Sequence, residues 1–178
     1  MLFRSGCASR PGNNYPNHLS RWLKADFVNL GFSGSAKGEP EIAEYLAKLG
    51  ADALFIDLDM SSKRIEDFIN AHYAFYKCIR EYNKTVPLIF MSFPRYPKVH
   101  HSPESGFRDH IVSNNIILET ILNARNAGDE NVYYIDGETL FGAEDQDSCT
   151  VDYTHPNDLG FYMMAKGIYP VLKKALGL

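Results

Sequence analysis

The chain has 178 residues, a net charge of -4 and 45% hydrophobic residues, which is typical of one globular domain. The negative charge argues against a nucleic-acid binder, because such proteins concentrate positive charge on one face. No apolar run approaches the roughly 20 residues of a membrane span. We therefore expect a single domain over residues 1–178 that binds neither nucleic acid nor a membrane.

Three cysteines, Cys7, Cys78 and Cys149, lie far apart in the sequence. An odd and sparse set is no disulfide framework and is typical of a reducing compartment, so we expect a cytoplasmic protein. The sequence has no Cys-x-x-Cys motif and no His/Cys cluster of the kind that binds structural zinc. The cysteine pattern therefore does not support a structural zinc site.

Four short apolar runs are predicted to be β-strands, and each is followed by a segment of helical periodicity. The runs are residues 26–30, 53–57, 87–92 and 131–135. A short helix at 15–23, with Leu19 and Trp22 facing inward, is predicted ahead of the first strand. This alternation predicts an α/β fold whose parallel sheet is covered on both faces. In such a sheet the ligand site lies at the carboxyl ends of the strands.

The apolar positions of the four helical segments predict their buried faces. Listed in chain order, these positions are Ile42, Tyr45, Leu46 and Leu49; Ile65, Phe68, Ile69, His72, Tyr76 and Ile79; Ile111, Leu118, Ile121 and Leu122; and Phe161, Met164, Ala165, Ile168 and Leu172. Pro170 is predicted to kink the last helix near its end.

The most informative motif for chemistry is Asp152-x-x-His155, on a loop that enters the last predicted helix. A carboxylate beside an imidazole fixes its tautomer and stabilises the imidazolium that forms when the ring takes a proton from a hydroxyl nucleophile. The same spacing has a structural interpretation, with Asp152 capping the helix and His155 at the surface. A metal pair is a third interpretation, although the further ligands cannot be placed. Spacing alone leaves these alternatives open.

Three motifs follow one another over nearly the whole chain. They are Gly-Cys-Ala-Ser-Arg-Pro-Gly at residues 6–12, Asn-Leu-Gly-Phe-Ser-Gly at 29–34 and Asp-x-x-His-Pro-x-Asp-Leu-Gly-Phe at 152–161. In these motifs the chain resembles a subgroup of the SGNH (GDSL-type) hydrolases. The resemblance implies a flavodoxin-like three-layer α/β sandwich, and it implies neither a metal nor an organic cofactor. It also implies a serine esterase that acts on small acyl esters, such as an acetyl group on a carbohydrate.

The same resemblance implies roles for four residues. His155 would be the general base, Asp152 would orient it, and the backbone N–H of Gly34 would donate to the oxyanion. Gly34 also has a purely conformational interpretation as a loop glycine. Ser61 stands where the family has an oxyanion asparagine, and its hydroxyl could donate one hydrogen bond or could cap the next helix. Ser33 is a weaker candidate for the nucleophile, since the Gly-x-Ser-x-Gly pattern around it is incomplete.

The family's nucleophilic serine is missing from its expected place. With Gly6 as the last glycine of the family's Gly-x-Ser-Ile-Thr-x-Gly segment, the serine falls on Leu2 and the first strand falls before residue 1. We therefore expect an N-terminally truncated chain whose residues 1–5 are not native. Alternatively, Ser5 or Ser9 is a displaced nucleophile. The rival functions are a non-catalytic module that binds a sugar or an acyl group, and a fragment without a function of its own.

Overall fold

The computed structural model describes residues 6–31, 35–58, 65–94, 110–152 and 155–178. The helices in these ranges are α1 (Tyr15–Leu23), α2 (Pro40–Lys48), α3 (Ile65–Tyr82), α4 (His110–Asn126) and α5 (Asp158–Ala175). The strands are β1 (Leu54–Ile56), β2 (Leu88–Met91) and β3 (Val132–Ile135). Short 3-10 turns lie at Pro11–Asn13, Gly137–Thr139 and Gln146–Cys149. Three of the four predicted strands are thus confirmed.

The strands form a parallel sheet in the order β1-β2-β3. Leu54 of β1 lies beside Leu88 of β2, which lies beside Val132 of β3. Parallel neighbours need long crossover connections, and α3 and α4 lie in these connections. The predicted α/β class is confirmed.

Side chains alternate between the two faces of the sheet, and each face has its own core. One core lies against α2, α3 and α4 and receives the strand residues Leu54, Ile56, Leu88, Phe90 and Val132. The other lies against α1 and α5 and receives Phe55, Ile89, Met91 and Ile135. Helices therefore cover both faces of the sheet, which is the predicted three-layer arrangement.

The prediction of a strand at residues 26–30 is wrong, because this segment has no regular secondary structure. A β-strand depends on hydrogen bonds to a neighbouring strand, and no described strand pairs with this segment. Val28 is 49% exposed, whereas a strand inside a parallel sheet is buried on both faces. The apolar pattern is present, but none of the three described strands pairs with it.

The predicted inward face of α4 is also wrong for three of its four residues. Ile111, Leu118 and Leu122 are exposed, while Ile121 is partly buried. The side chains that α4 buries are Ser113, Asn114, Ile117, Thr120 and Ala124. Most of these residues are small or polar, so apolar periodicity could not identify the face that packs toward α3.

Smaller differences occur on α2 and α3, where Tyr45 and Ile69 are half exposed rather than inward. The prediction for α5 is confirmed at all five positions, and Leu19 of α1 is buried. Trp22 packs against the second core and is partly buried.

Among the described helices, none combines the length and apolarity needed to cross a membrane.

Candidate functional site

The loop between β3 and α5 carries Asp152 and His155 and is closed by backbone contacts. Thr150 and Pro156 form an isolated antiparallel bridge. Inside this bridge, the N–H of Val151 donates to the carbonyl of His155 at 3.1 Å. These contacts bring the two ends of the motif together and so restrict where the Asp152 and His155 side chains can lie.

Asp152 and His155 form a direct pair. Asp152 Oδ2 lies 2.6 Å from His155 Nδ1, and the backbone N–H of His155 donates to Asp152 Oδ1 at 2.7 Å. Contact with both the ring and its backbone orients the imidazole and favours the tautomer with its proton on Nδ1. The Nε2 lone pair can then accept a proton. The side chains of His155 and Asp152 remain 42% and 49% exposed, so an external molecule can reach them.

Asn157, and not Asp152, caps α5. Its Oδ1 accepts the N–H of Gly160 at 3.1 Å, and its Nδ2 donates to the carbonyl of Ser148 at 2.8 Å. Asp152 therefore does not have the helix-capping role considered above. Asn157 instead joins the start of α5 to the 3-10 turn that precedes the loop.

Gly160 permits a close approach between α5 and the same turn. A Cβ at this position would lie 2.1 Å from the carbonyl oxygen of Cys149, which is far inside van der Waals contact. The backbone N–H of Asn157 also donates to this oxygen, at 3.0 Å. The beginning of α5 is thus fixed against the chain that leads into the Asp152–His155 loop.

The first motif, residues 6–12, packs against this loop, although the two lie far apart in the sequence. The N–H of Cys7 donates to the carbonyl of Pro156 at 2.8 Å. The Asp158 carboxylate accepts the N–H of Ser9 at 2.7 Å, the hydroxyl of Ser9 at 2.5 Å and the Nδ2 of Asn13 at 2.7 Å. These hydrogen bonds lower the pKa of Asp158. Residues 7–13 are thereby held beside the residues that follow His155.

Gly6 adds a steric requirement at the same place. A Cβ there would lie 2.1 Å from Cζ of Phe161 and 3.0 Å from the carbonyl oxygen of Pro156. The first and third motifs therefore form one contact region, and the Asp152–His155 pair lies at its edge.

Several predicted site residues lie outside the described part of the chain. These are Gly34, Ser61, Leu2, Ser5 and Ser33. Ser9, the other alternative nucleophile, is described. Among the described residues, its hydroxyl donates to Asp158 and not to His155, which argues against Ser9 as the nucleophile.

Sequence reasoning missed Asn157 and Asp158, although both lie inside the third motif. The available signal was a pair of residue types that favour helix N-termini, placed directly before an apolar helix. It also missed Ser92, which follows β2 and is completely buried. Ser92 Oγ accepts the N–H of Gly137 at 2.9 Å, and so supports the chain that leaves β3.

Within the described ranges, no group of three or more His, Cys, Asp or Glu side chains could hold a metal ion. The three cysteines are free thiols. What the described pair can do is accept a proton at His155 and stabilise the resulting positive charge with the Asp152 carboxylate. An α/β sandwich with such a pair after its last described strand has the architecture of the SGNH-type hydrolases.

A family model confirms this class. The GDSL-like lipase/acylhydrolase family matches residues 2–173, and the chain therefore belongs to that family. Among curated proteins, none matches the chain significantly.

Solved structures share the fold. A protein from Bacteroides ovatus assigned as a GDSL-like lipase is 33% identical, with a TM-score of 0.83 over 96% of this chain and 49% of that one. A salicylyl-acyltransferase from a tetracycline biosynthetic pathway is 23% identical, with a TM-score of 0.81 over 96% and 51%. A family 3 carbohydrate esterase from Clostridium thermocellum is 19% identical, with a TM-score of 0.69 over 92% and 87%. The chain spans about half the length of the first two proteins.

Proposed function

We propose that the chain is built for acyl-ester hydrolysis, with His155 as the general base and Asp152 as the residue that orients it. The observation that carries this proposal is the double contact of the Asp152 carboxylate with the ring and the backbone of His155. When His155 takes a proton from a serine hydroxyl, the ring becomes cationic, and a carboxylate at 2.6 Å stabilises it. Membership of the acylhydrolase family supports the same chemistry.

The remaining roles follow the family's motif order. We assign the backbone N–H of Gly34 and the hydroxyl of Ser61 as oxyanion donors, and one such donor contributes about 3 kcal/mol in the transition state. The place of the nucleophilic serine is position 2, where this chain has Leu2. The reaction would proceed by acylation of that serine and then attack by water on the acyl-enzyme.

We propose a small acyl ester as the substrate, with an acetyl ester on a carbohydrate as the preferred example. Support comes from the fold shared with a carbohydrate esterase and from the exposure of the Asp152–His155 pair. Because the pair lies at the surface, the alcohol part of the ester can be large without having to be enclosed.

Hydrolysis of p-nitrophenyl acetate by the chain and by its Leu2→Ser variant tests the mechanism. We expect the serine to increase the rate, and His155→Ala in the same background to lower that rate by about 10²–10⁴-fold, as for loss of a general base. His18→Ala is the matched control, because it removes a histidine of α1 that lies outside the pair. A rate increase that survives His155→Ala contradicts the assigned role.

The second candidate function is a non-catalytic module that binds a sugar or an acyl group. The presence of Leu2 at the nucleophile position favours it. Calorimetric titration with an acetylated xylo-oligosaccharide separates the two functions. Measurable binding without turnover, by both the chain and Leu2→Ser, would support the binding module over the esterase.

A further inference from the structure

A cleft lies at the edge of the sheet formed by β3, between α4 and α5. Its volume is about 480 Å³, a size typical of small-molecule sites in proteins. Neither Asp152 nor His155 lines the cleft, so it is separate from the candidate catalytic pair. The lining residues are Ile121 and Arg125 of α4, residues 132–134 of β3, and Pro170, Val171 and Lys174 of α5.

Two cationic side chains line this cleft, Arg125 from α4 and Lys174 from α5. Both residues are exposed, and neither forms an ion pair with a residue that the structure describes. The described lining also contains no Asp or Glu. In a chain with a net charge of -4, the cleft is therefore a local site of positive charge, and charge complementarity favours an anion.

Arg125 is held in place before any ligand binds. Its Nη2 donates to the carbonyl of Val132 at 2.7 Å. A guanidinium group has five N–H donors, so further donors remain for a ligand. Ordering the side chain in advance lowers the entropy that binding would cost.

The same contact argues against a polypeptide strand as the ligand. Leu88 of β2 donates to the carbonyl of Asn131 at 2.9 Å, and alternate residues of a strand direct their backbone groups to opposite sides. The carbonyl of Val132 therefore points away from β2, and Arg125 covers it. A sheet edge whose acceptor is covered in this way is protected against pairing with another strand.

The rest of the cleft offers apolar and aromatic surface. Ile121, Pro170 and Val171 contribute aliphatic groups. Tyr134 uses its hydroxyl inside the fold, where it donates to Ser92 Oγ at 3.0 Å. An inorganic anion would leave this surface unused, whereas an organic anion with an apolar body would cover it.

We propose that the cleft binds a small organic carboxylate that has an apolar or aromatic body. The carboxylate would contact Arg125 and Lys174, with charge-assisted hydrogen bonds from both. The body would lie against Ile121, Pro170 and Val171. This binding site is additional to the ester site, and it does not depend on the proposed hydrolysis.

Titration of the ¹⁵N-labelled chain with 4-phenylbutyrate, followed by NMR, tests the proposal. We expect saturable shifts of the Val132 and Val171 amides, while the amides of residues 150–157 stay unchanged. The neutral amide of the same acid has the same size, and we expect it to bind about fivefold or more weakly, because it lacks the charge. Equal binding of the two compounds would overturn the proposal. Shifts confined to residues 150–157, or none at Val132 and Val171, would also overturn it.

Charge reversal locates the binding site. We expect Lys174→Glu to weaken binding of 4-phenylbutyrate by about fivefold or more, since it replaces an attraction by a repulsion. Lys173→Glu is the matched control, because it makes the same change at an exposed neighbour that does not line the cleft, and it should weaken binding by less than about twofold. An equal effect of the two variants would show that only the overall charge matters. Unchanged urea midpoints verify that both variants are folded.

Sulfate is the last probe. We expect it to bind more weakly than 4-phenylbutyrate, because it cannot use the apolar surface of the cleft. The same shifts of Val132 and Val171 at the same affinity would mean that the cleft takes an adventitious ion only, and the proposal would then be wrong.

Discussion

Asp158 shows how a single side chain holds the candidate site together. Its two oxygens accept three hydrogen bonds from Ser9 and Asn13, while the preceding residue, Asn157, holds the turn before the Asp152–His155 loop. Neighbouring side chains at the start of α5 therefore bind two different parts of the chain. The position of residues 7–13 relative to His155 depends on this arrangement.

We expect Asp158→Ala to release residues 7–13, because the donors of Ser9 and Asn13 lose their common acceptor. Hydrogen exchange followed by mass spectrometry should then show faster exchange in the peptide that contains Cys7 and Ser9. Glu144→Ala is the control, since it removes the same charge from an exposed position in the loop before the site. Unchanged exchange over residues 7–13 in Asp158→Ala would show that other contacts hold this segment.

The contact between Asp152 and His155 could be predicted from the sequence, whereas the contact between Ser9 and Asp158 could not. Asp152 and His155 lie three residues apart, so their spacing alone makes the contact geometrically accessible. The partner of Ser9 lies 149 residues away in the sequence, and no local pattern indicates which acidic residue it contacts. The positions assigned to Gly34 and Ser61 remain predictions, because both residues lie outside the described ranges.

At the scale of elements, α5 contains two glycines in different surroundings. At Gly160 a Cβ would meet the backbone oxygen of Cys149 at 2.1 Å, whereas at Gly167 it would meet Cδ2 of Leu140 at 2.3 Å. The first contact involves backbone fixed by hydrogen bonds. The second involves the end of a side chain that can change its rotamer.

We expect Gly160→Ala to lower the free energy of unfolding by about 2 kcal/mol or more, because the clash exceeds the roughly 1 kcal/mol by which alanine favours a helix over glycine. Gly167→Ala is the matched control and should have a smaller effect, since Leu140 can move. Urea denaturation of both variants measures the difference. Equal stability of the two would mean that α5 can shift away from Cys149 without cost.

The buried face of a helix was predicted correctly where the apolar residues of its sequence are also the residues that the fold buries. The five apolar positions of α5 are all buried, because that helix lies over the second core. On α4 the buried face includes the polar residues Ser113 and Thr120. The buried positions of this helix therefore do not form a repeat of apolar residues. At residues 26–30 the composition is right for a strand, but pairing is a property of two segments and cannot be seen in one.

At the scale of the whole molecule, the core contains a buried histidine, His72. This residue belongs to α3, and its side chain is buried among α3, α4 and the sheet. Its ring lies 5.2 Å from that of Phe68 and 5.1 Å from that of Phe90, and Nδ1 is 2.8 Å from Thr120 Oγ1. Burial lowers the pKa of His72 to about 3. The folded protein therefore holds this imidazole neutral at pH values where an unfolded chain would protonate it.

We expect this histidine to make the fold sensitive to acid. Between pH 6.5 and about 3 the unfolded chain binds a proton at His72 that the native state does not, so stability falls as the pH falls through this window. At pH 4 this difference in proton binding at His72 lowers the free energy of unfolding by about 3 kcal/mol. Urea midpoints at pH 7 and pH 4 should differ less in His72→Gln than in the unmodified chain. His18→Gln is the control and should keep most of the difference. A pH dependence that His72→Gln leaves intact would assign acid sensitivity to other groups.

The contact between Ser9 and Asp158 has a consequence for how the protein is made. A ribosome synthesises the first motif early, but Asp158 emerges only with the last described helix. Until then residues 7–13 lack the carboxylate that holds them. A nascent chain that has not yet exposed Asp158 therefore cannot hold residues 7–13 beside the Asp152–His155 loop.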